Sequence, residues 1–447
     1  MFRRFFIVFF ILIFIIPQCF ARDYQINYQE KLDYVNMDFW RRFDDDYLCC
    51  YIVQAVKNNH DARKASYRVE EYRQKVKYSL GKELPSLSVY PAYLGAQVPK
   101  LDNFELSTNA FILPFLANYE ADFLLKNRDK TRAEKKTYEA EKYKEKALYI
   151  ALASDVASLY VNIMNYDEIL ELNEKILKNQ KELFRKTKLR YENGISTKTD
   201  LNNTQQKILD LESSITEIRT NRRDALFYLA VMIGENPECI NDLKRAKLSE
   251  FGKKYEPPEC ISSDVIFSRP DVMAAEKQLE KAKIDIRVAR KEFLPRFNIT
   301  GVWIFNTIAP GNFFSWEASL ASIMVAAGQD IFMGGRKIAN LKMKKLEYEQ
   351  LFEEYKQTDL TAIKEVSASL YKINDDTHIY DTVYKKNQNE SENLKLTNLR
   401  YKEGTVSQMD ILNDENKIHN INSVLANKKA QKFIDYITLY KAVGAKL

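Results

Sequence analysis

One pattern of twenty residues occurs twice in this chain, and it constrains the fold more than any other feature. Residues 189–208 read LRYENGISTKTDLNNTQQKI and residues 399–418 read LRYKEGTVSQMDILNDENKI, with 8 of the 20 positions identical. The copies lie 210 residues apart, and each stands between two long runs with heptad-like spacing of apolar residues. In a chain of 447 residues, such a repeat predicts a duplicated structural unit.

Each copy of the pattern predicts a tight turn between two long helices. A glycine suits the left-handed conformation that ends the first helix. A hydroxyl residue three positions later can cap the second helix, with an aspartate at the third helical position, close to a capping box. These residues are Gly194, Thr197 and Asp200 in the first copy, and Gly404, Ser407 and Asp410 in the second. The chain is therefore predicted to contain two helical hairpins, with tips at 190–198 and 400–408.

Composition agrees with long exposed helices rather than compact lobes. Gly 12 and Pro 11 are about half of the usual frequency or less. Charged residues make up 29% of the chain, and the two signs mostly alternate along it. The net charge of +6 is small for this length, and no basic cluster is long enough to indicate a nucleic-acid partner.

The N-terminus is predicted to be a cleaved signal peptide. Arg3 and Arg4 precede an unbroken apolar run at 5–16, and Ala21 offers a cleavage site. Twelve residues are too few to cross a bilayer as a helix. A lipoprotein that carries its lipid on Cys19 is the alternative, although the glutamine before it matches such sites poorly.

Each half of the chain repeats one order of elements: a helix, a Leu-Pro stop, two strands, and a long helical hairpin. The strands are expected at about 85–98, 110–124, 296–308 and 317–332. The predicted division is a signal peptide at 1–21, an extended lead-in at 22–46, a first repeat at 47–234, a connector at 235–262 and a second repeat at 263–447.

The segment at 111–123 has a clear period of two. Its odd positions are apolar or aromatic, and its even positions include Asn118, Glu120 and Asp122. Such alternation is typical of a strand in a transmembrane barrel. By itself it fits a half-buried strand of a soluble sheet equally well. The counterpart at 317–332 is rich in alanine and serine and alternates poorly.

Four strands cannot close a barrel, and open strand edges cannot stand in lipid. Three chains would supply twelve strands, which can close. The helix predicted from about 127 to 188 spans 62 residues without proline or glycine, which is roughly 95 Å. Its apolar residues step by four and three, a spacing that makes helices wind around one another. The predicted fold is mainly α-helical with a membrane β-barrel portion. It is a trimeric 12-stranded barrel continued by a long coiled-coil tunnel.

Several motifs resemble the TolC-like outer-membrane efflux proteins. The segments 268–276 and 293–301 look like the family's run into its third strand, and 119–123 and 331–336 look like the ends of its second and fourth strands. The two Arg-Tyr-x-x-Gly turns resemble its periplasmic tips. They comprise Arg190, Tyr191 and Gly194, and Arg400, Tyr401 and Gly404. The likeness covers about 47–444.

The resemblance implies a homotrimeric exit duct in the outer membrane that extends into the periplasm. Its implied partners are a periplasmic adaptor, an inner-membrane pump and outer-membrane lipid, and the two tips would dock the adaptor. Its cargo would be drugs or secreted proteins, in efflux or type I secretion. The family's tip is held closed by acidic residues after the second turn. Asp410 matches the first of these, whereas Asn413 departs from the second and is followed by Asp414.

Four cysteines remain after cleavage, and an even number in an exported chain permits disulfides. Cys239 and Cys260 lie in the predicted connector and are expected to pair, with two free thiols as the alternative. Cys49 and Cys50 are adjacent, so pairing them would require a strained ring. No spacing of histidines and cysteines indicates a metal site, and no catalytic or cofactor-binding constellation is present.

Two other classes remain open from the sequence. A periplasmic adaptor is also exported and hairpin-containing, but it usually has one hairpin and a lipoyl-like domain. A structural coiled-coil protein of the cell envelope would explain the heptads but not the amphipathic strands. An enzyme is the least favoured class.

Overall fold

The computed structural model describes residues 24–101, 104–239, 243–252, 261–306, 316 and 319–447. These residues form ten α-helices, a short 3-10 helix at Pro237–Cys239 and five strands. The helices are α1 (Tyr28–Tyr34), α2 (Met37–Arg41), α3 (Asp46–Asn58), α4 (His60–Gly81), α5 (Lys126–Glu192), α6 (Lys198–Ile233), α7 (Ser263–Phe267), α8 (Pro270–Lys291), α9 (Arg336–Lys402) and α10 (Gln408–Ala442).

The strands form one antiparallel sheet. They are β1 (Ser86–Val89), β2 (Ala92–Leu101), β3 (Phe104–Ala121), β4 (Arg296–Asn306) and β5 (Ser319–Gly328). The order is β1–β3–β4–β5, and β2 also pairs with β3. Ser86 pairs with Asn118 and Ala92 with Ile112, so the register is unchanged across Pro91 and β1 and β2 are two parts of one strand. Because proline has no N–H to donate, it interrupts the ladder at that point. The sheet thus has four strand positions.

Two long hairpins make up most of the molecule. Helices α5 and α9 each contain 67 residues, or about 100 Å. Helix α5 packs against α6 and α10, and α10 packs against α9, so the four lie side by side in the order α6–α5–α10–α9. Among the described residues, α5 is the one helix long and apolar enough to cross a membrane, but 56% of that stretch is buried, as in a core helix.

The segment before the first repeat is not extended. Residues 28–41 form α1 and α2, and Phe39, Trp40 and Phe43 are fully buried. Phe39 stacks on Tyr440 near the C-terminus, with ring centroids 4.4 Å apart. The prediction of an extended lead-in at 22–46 was therefore wrong for the part that the structure describes. Helices of five and seven residues are too short to produce a periodic pattern in the sequence. Their aromatic residues pack against a core that is formed by distant segments of the chain.

The connector also joins this core. Leu248 and Phe251 are buried, and Phe251 stacks on Phe43 with centroids 5.3 Å apart. Gly252 has a φ of +64°, and a β-carbon there would overlap the ring of Phe433. The start of the chain, the connector and the last helix thus meet in one aromatic cluster midway along the hairpins. We call this cluster the equatorial core.

Candidate functional site

The pairing register divides the sheet into two chemically different faces. One face carries Leu87 and Val89 of β1, Phe115, Ala117 and Tyr119 of β3, Ile299, Gly301 and Trp303 of β4, and Ala321, Ile323 and Val325 of β5. The other carries the polar residues Ser86, Ser88, Asn118, Glu120, Asn298, Thr300 and Ser322, together with Leu116, Val302, Ile304, Leu320 and Met324. We call them the apolar face and the polar face. Across the polar face, Thr300 Oγ1 lies 3.2 Å from Asn118 Oδ1.

The pairing register of β5 reveals an apolar face that is not visible in its sequence. Its sequence alternates poorly, yet the ladder places Ala321, Ile323 and Val325 on the apolar face next to the aromatic residues of β4. Ile323 is 80% exposed. An exposed apolar side chain on a paired strand indicates a surface that meets a nonaqueous environment or another chain.

The two outer strands of the sheet have free edges. The far side of β1 and β2 and the far side of β5 have no partner strand within the described part of the chain. A row of unpaired backbone groups can pair with another copy of the sheet. Because an open edge is not tolerated in hydrocarbon, the sheet is complete only as part of a closed assembly.

The outermost helices of the four-helix row, like the outer strands of the sheet, expose surfaces that another copy could cover. Helices α6 and α9 lie at the two ends of the four-helix row, and each exposes large apolar side chains. They include Leu209, Phe227, Tyr228 and Val231 on α6, and Leu346, Leu360, Ile363, Tyr371 and Leu396 on α9. Such stripes on two opposite flanks are suited to joining one copy to the next.

The two hairpin tips have the predicted geometry. Gly194 and Gly404 are left-handed, with φ of +72° and +73°. After each glycine, the next N–H donates back to the carbonyl of Arg190 (2.8 Å) or of Arg400 (3.0 Å). Tyr191 and Tyr401 are exposed beside the glycines.

Capping boxes begin both helices that follow the tips. The Asp200 carboxylate accepts from Thr197 N at 2.9 Å and from Thr197 Oγ1 at 2.7 Å. The Asp410 carboxylate accepts from the corresponding atoms of Ser407, both at 2.8 Å. Both predicted turns are present, but the backbone N–H of Asp200 donates to Thr197 Oγ1 at 3.1 Å, whereas that of Asp410 donates to the Ser407 carbonyl at 3.1 Å.

The acidic residues after the second tip have unequal surroundings. Hydrogen bonds from Ser407 hold the pKa of Asp410 below its ordinary value, and the charge of Arg190 acts in the same direction. Asp414 accepts from Thr397 Oγ1 at 2.7 Å and pairs with Lys417 at 2.7 Å. Asn413, between them, is exposed.

Contacts between the two hairpins were missed from the sequence. Lys186 Nζ donates to Gln408 Oε1 at 2.8 Å, and Asn179 Nδ2 donates to Glu415 Oε2 at 3.0 Å. These pairs join α5 to α10. Polar residues within a heptad run are a signal for such contacts, but the run does not say which helix provides the partner.

The structure describes one of the two pairs of cysteines. Cys260 and the side chain of Cys239 lie outside the described residues, so their proposed disulfide stays a prediction. Cys49 and Cys50 are unpaired in α3. Within the described ranges, no group of three histidine, cysteine or acidic residues could hold a metal ion.

Comparison with known proteins gives a consistent result. The model of the outer membrane efflux protein family matches residues 51–235 and 261–445. Cation efflux system protein CusC of Escherichia coli K12 is 24% identical over 434 residues, covering 96% of this chain and 93% of CusC. Probable efflux pump outer membrane protein TtgC of Pseudomonas putida is 22% identical over 415 residues, covering 91% and 84%.

Solved structures share the fold. The CmeC outer membrane channel of Campylobacter jejuni superposes with a TM-score of 0.82 at 22% identity, over 92% of this chain and 88% of CmeC. A CusC structure gives a TM-score of 0.78 at 22% identity, over 95% and 99%. The predicted fold class, a barrel portion joined to a helical tunnel, is confirmed by these likenesses.

Proposed function

The chain belongs to the outer membrane efflux protein family, and we propose that it works as a trimeric exit duct from the periplasm to the cell exterior. It is an outer-membrane protein of the efflux class, and family members are channels rather than enzymes. The proposal assigns it a periplasmic adaptor and an inner-membrane pump as partners. The alternatives, an adaptor or a structural coiled coil, do not account for the amphipathic sheet.

The observation that carries the proposal is the four-position sheet with one apolar face and two free edges. Three copies joined edge to edge make twelve strands, with the apolar face toward lipid and the polar face around an aqueous lumen. The exposed stripes of α6 and α9 come together between neighbouring copies in the same arrangement. One symmetric assembly thus covers both incomplete surfaces.

Relatives with different cargo support a duct that does not itself select what it carries. Proteins named for cation efflux, toluene efflux and antibiotic efflux resemble this chain almost equally, at 24%, 22% and 22% identity. We infer that the pump chooses the cargo and that this chain provides the path.

Reconstitution in a planar bilayer tests the channel. Purified wild-type protein should give discrete steps of current, and its mass in detergent should correspond to three chains. A well-folded preparation that remains monomeric, or a trimer that never conducts, contradicts the proposal. The same preparation separates the alternatives, because neither an adaptor nor a coiled coil conducts.

We also propose that Asp410, Asn413 and Asp414 form the gate, and that the tip residues Arg190, Tyr191, Gly194, Arg400, Tyr401 and Gly404 dock the adaptor. Around the axis of a trimer, three copies of Asp410 make a ring of negative charge that favours cations. The supporting observation is that the charge of Arg190, on the first tip, lowers the pKa of Asp410 on the second.

Asp200 provides a matched control for Asp410. Both carboxylates make the same two contacts with the N-cap residue, so either alanine substitution removes the same half of a capping box. We expect Asp410→Ala to raise single-channel conductance and to reduce cation preference, and Asp200→Ala to do less. Equal effects would leave capping as the role of both residues.

A further inference from the structure

A row of four residues crosses the middle of the apolar face. Leu87 pairs with Ala117, Ala117 with Gly301, and Gly301 with Ile323. The two outer members are large and exposed, and the two central members are the smallest side chains available. The centre of the row is therefore a notch, and it opens into a groove of about 550 Å³.

The walls of the notch are aromatic and rigid. The next row on the same face places Phe115 beside Trp303, with ring centroids 6.5 Å apart. A β-carbon built on Gly301 would have one neighbour within 4 Å, the Ala117 β-carbon at 3.6 Å, so the space in front of the glycine is open. Seven of the nine residues that line the groove belong to the apolar face, Val302 and Ser322 belong to the polar face, and all nine except Ser322 are apolar.

The depth of the notch follows from the length of β4. Gly301 lies five residues beyond Arg296, where the strand begins at its helical end. At about 3.4 Å per residue and a tilt of about 40°, this is about 13 Å along the membrane normal. The apolar band of such barrels is about 25 Å tall, so the notch lies near its middle. At the helical end of the same face, Phe123 meets Phe297 edge-on at 5.5 Å, as in an interfacial aromatic girdle.

We propose that the notch binds one acyl chain of a phospholipid of the periplasmic leaflet. The chain runs from a head group beside Phe123 and Phe297 to the notch, where its end packs against Trp303. The inference rests on the proposed function, because it requires the apolar face to lie in the outer membrane. Copies join through strand edges rather than faces, so no second chain competes for the notch. A gap on a hydrocarbon-facing surface loses dispersion contacts unless a flexible chain fills it.

Two alanines of the sheet make a matched pair of variants. Ala117 lies in the notch, and Ala326 is exposed on the opposite face, where it pairs with Asn298. Ala117→Leu should fill the notch, and Ala326→Leu adds the same atoms on the face that the lipid does not touch. Native mass spectrometry of delipidated trimers should find up to three phospholipids per trimer in the wild type and in Ala326→Leu, and at least tenfold lower occupancy in Ala117→Leu.

Tryptophan fluorescence gives a second readout. Trp40 is fully buried in the helical part and Trp303 is 45% exposed, so Trp316→Phe leaves Trp303 as the reporter on the apolar face. In vesicles containing a few per cent of phosphatidylglycerol brominated near the chain end, Trp303 should be quenched more than random lipid contact allows. Ala117→Leu should remove the excess quenching.

The outcomes separate the two proposals. Three results would overturn the phospholipid site. They are equal lipid retention in both leucine variants, no retained lipid in a wild type that conducts, and a retained mass that corresponds to lipid A. Retained phospholipid in a wild type that never conducts would overturn the channel and leave the site standing. If Ala117→Leu fails to conduct, Gly301→Ala replaces it as the notch variant and the same criteria apply.

Discussion

The buried ion pair between α1 and α5 allows a sharp test of how the N-terminal segment is held. Lys31 Nζ lies 2.9 Å from Glu145 Oε2, and the two side chains are 5% and 1% exposed. Ser66 Oγ donates to the other carboxylate oxygen at 2.5 Å. Lys31→Met keeps most of the apolar stem and removes the charge, which leaves a buried carboxylate with one hydroxyl partner. Breaking a buried pair in this way costs about 3–5 kcal/mol.

In the variant we therefore expect α1 to be held less tightly by about 3–5 kcal/mol. Hydrogen exchange of amides in 28–58 of the detergent-solubilised trimer measures this loss.

A second pair at the same interface serves as the control. Lys142 Nζ lies 3.1 Å from Glu30 Oε1, with side chains 48% and 38% exposed. Since exposed pairs contribute less than about 1 kcal/mol, Lys142→Met should change the exchange little. Equal losses in the two variants, or no loss in Lys31→Met, would refute the reasoning.

Two further predictions concern the helical part. In the equatorial core, Gly252→Ala should destabilise the protein by about 2–4 kcal/mol in thermal or chemical unfolding, because a left-handed backbone and an overlap with Phe433 add together. Gly194 is also left-handed but has open space around it, so Gly194→Ala should lower the free energy of unfolding by about 1 kcal/mol. Equal losses of stability in the two variants would contradict the role of the overlap with Phe433. Burial raises the pKa of Asp435 on α10, so its folded state favours the protonated acid and stability should fall as pH rises from about 4 through the raised pKa. Asp435→Asn should abolish this fall of unfolding free energy with pH, measured from pH 4 to pH 8. An unchanged pH dependence in the variant would mean that other groups cause it.

The features that follow from local chemistry could be predicted from the sequence. The repeat of the turn pattern, the glycines at 194 and 404 and the capping residues at Thr197 and Ser407 all act within a few residues, so their spacing is visible in one dimension. Heptad spacing likewise predicted long paired helices, and the period of two in 111–121 predicted a strand with two different faces.

Other features depend on partners that the chain brings in from a distance. The segment at 28–43 has no period because its aromatic residues pack on Tyr440 and Phe251, from segments far away in the sequence. The charge that lowers the pKa of Asp410 comes from Arg190 of the other hairpin, because α5 runs alongside the start of α10, where Lys186 donates to Gln408. No spacing rule identifies such a neighbour.

The sequence by itself thus determined the kind of elements, their order and their duplication, since those depend on propensity and periodicity along the chain. The tertiary structure alone decided which surfaces face each other. The apolar face shows this most clearly, because β5 looks irregular until its ladder with β4 aligns Ile323 with Gly301. The notch in that face exists because small residues from β3 and β4 meet in one row, and the alignment of strands that are distant in sequence is set by hydrogen-bond register.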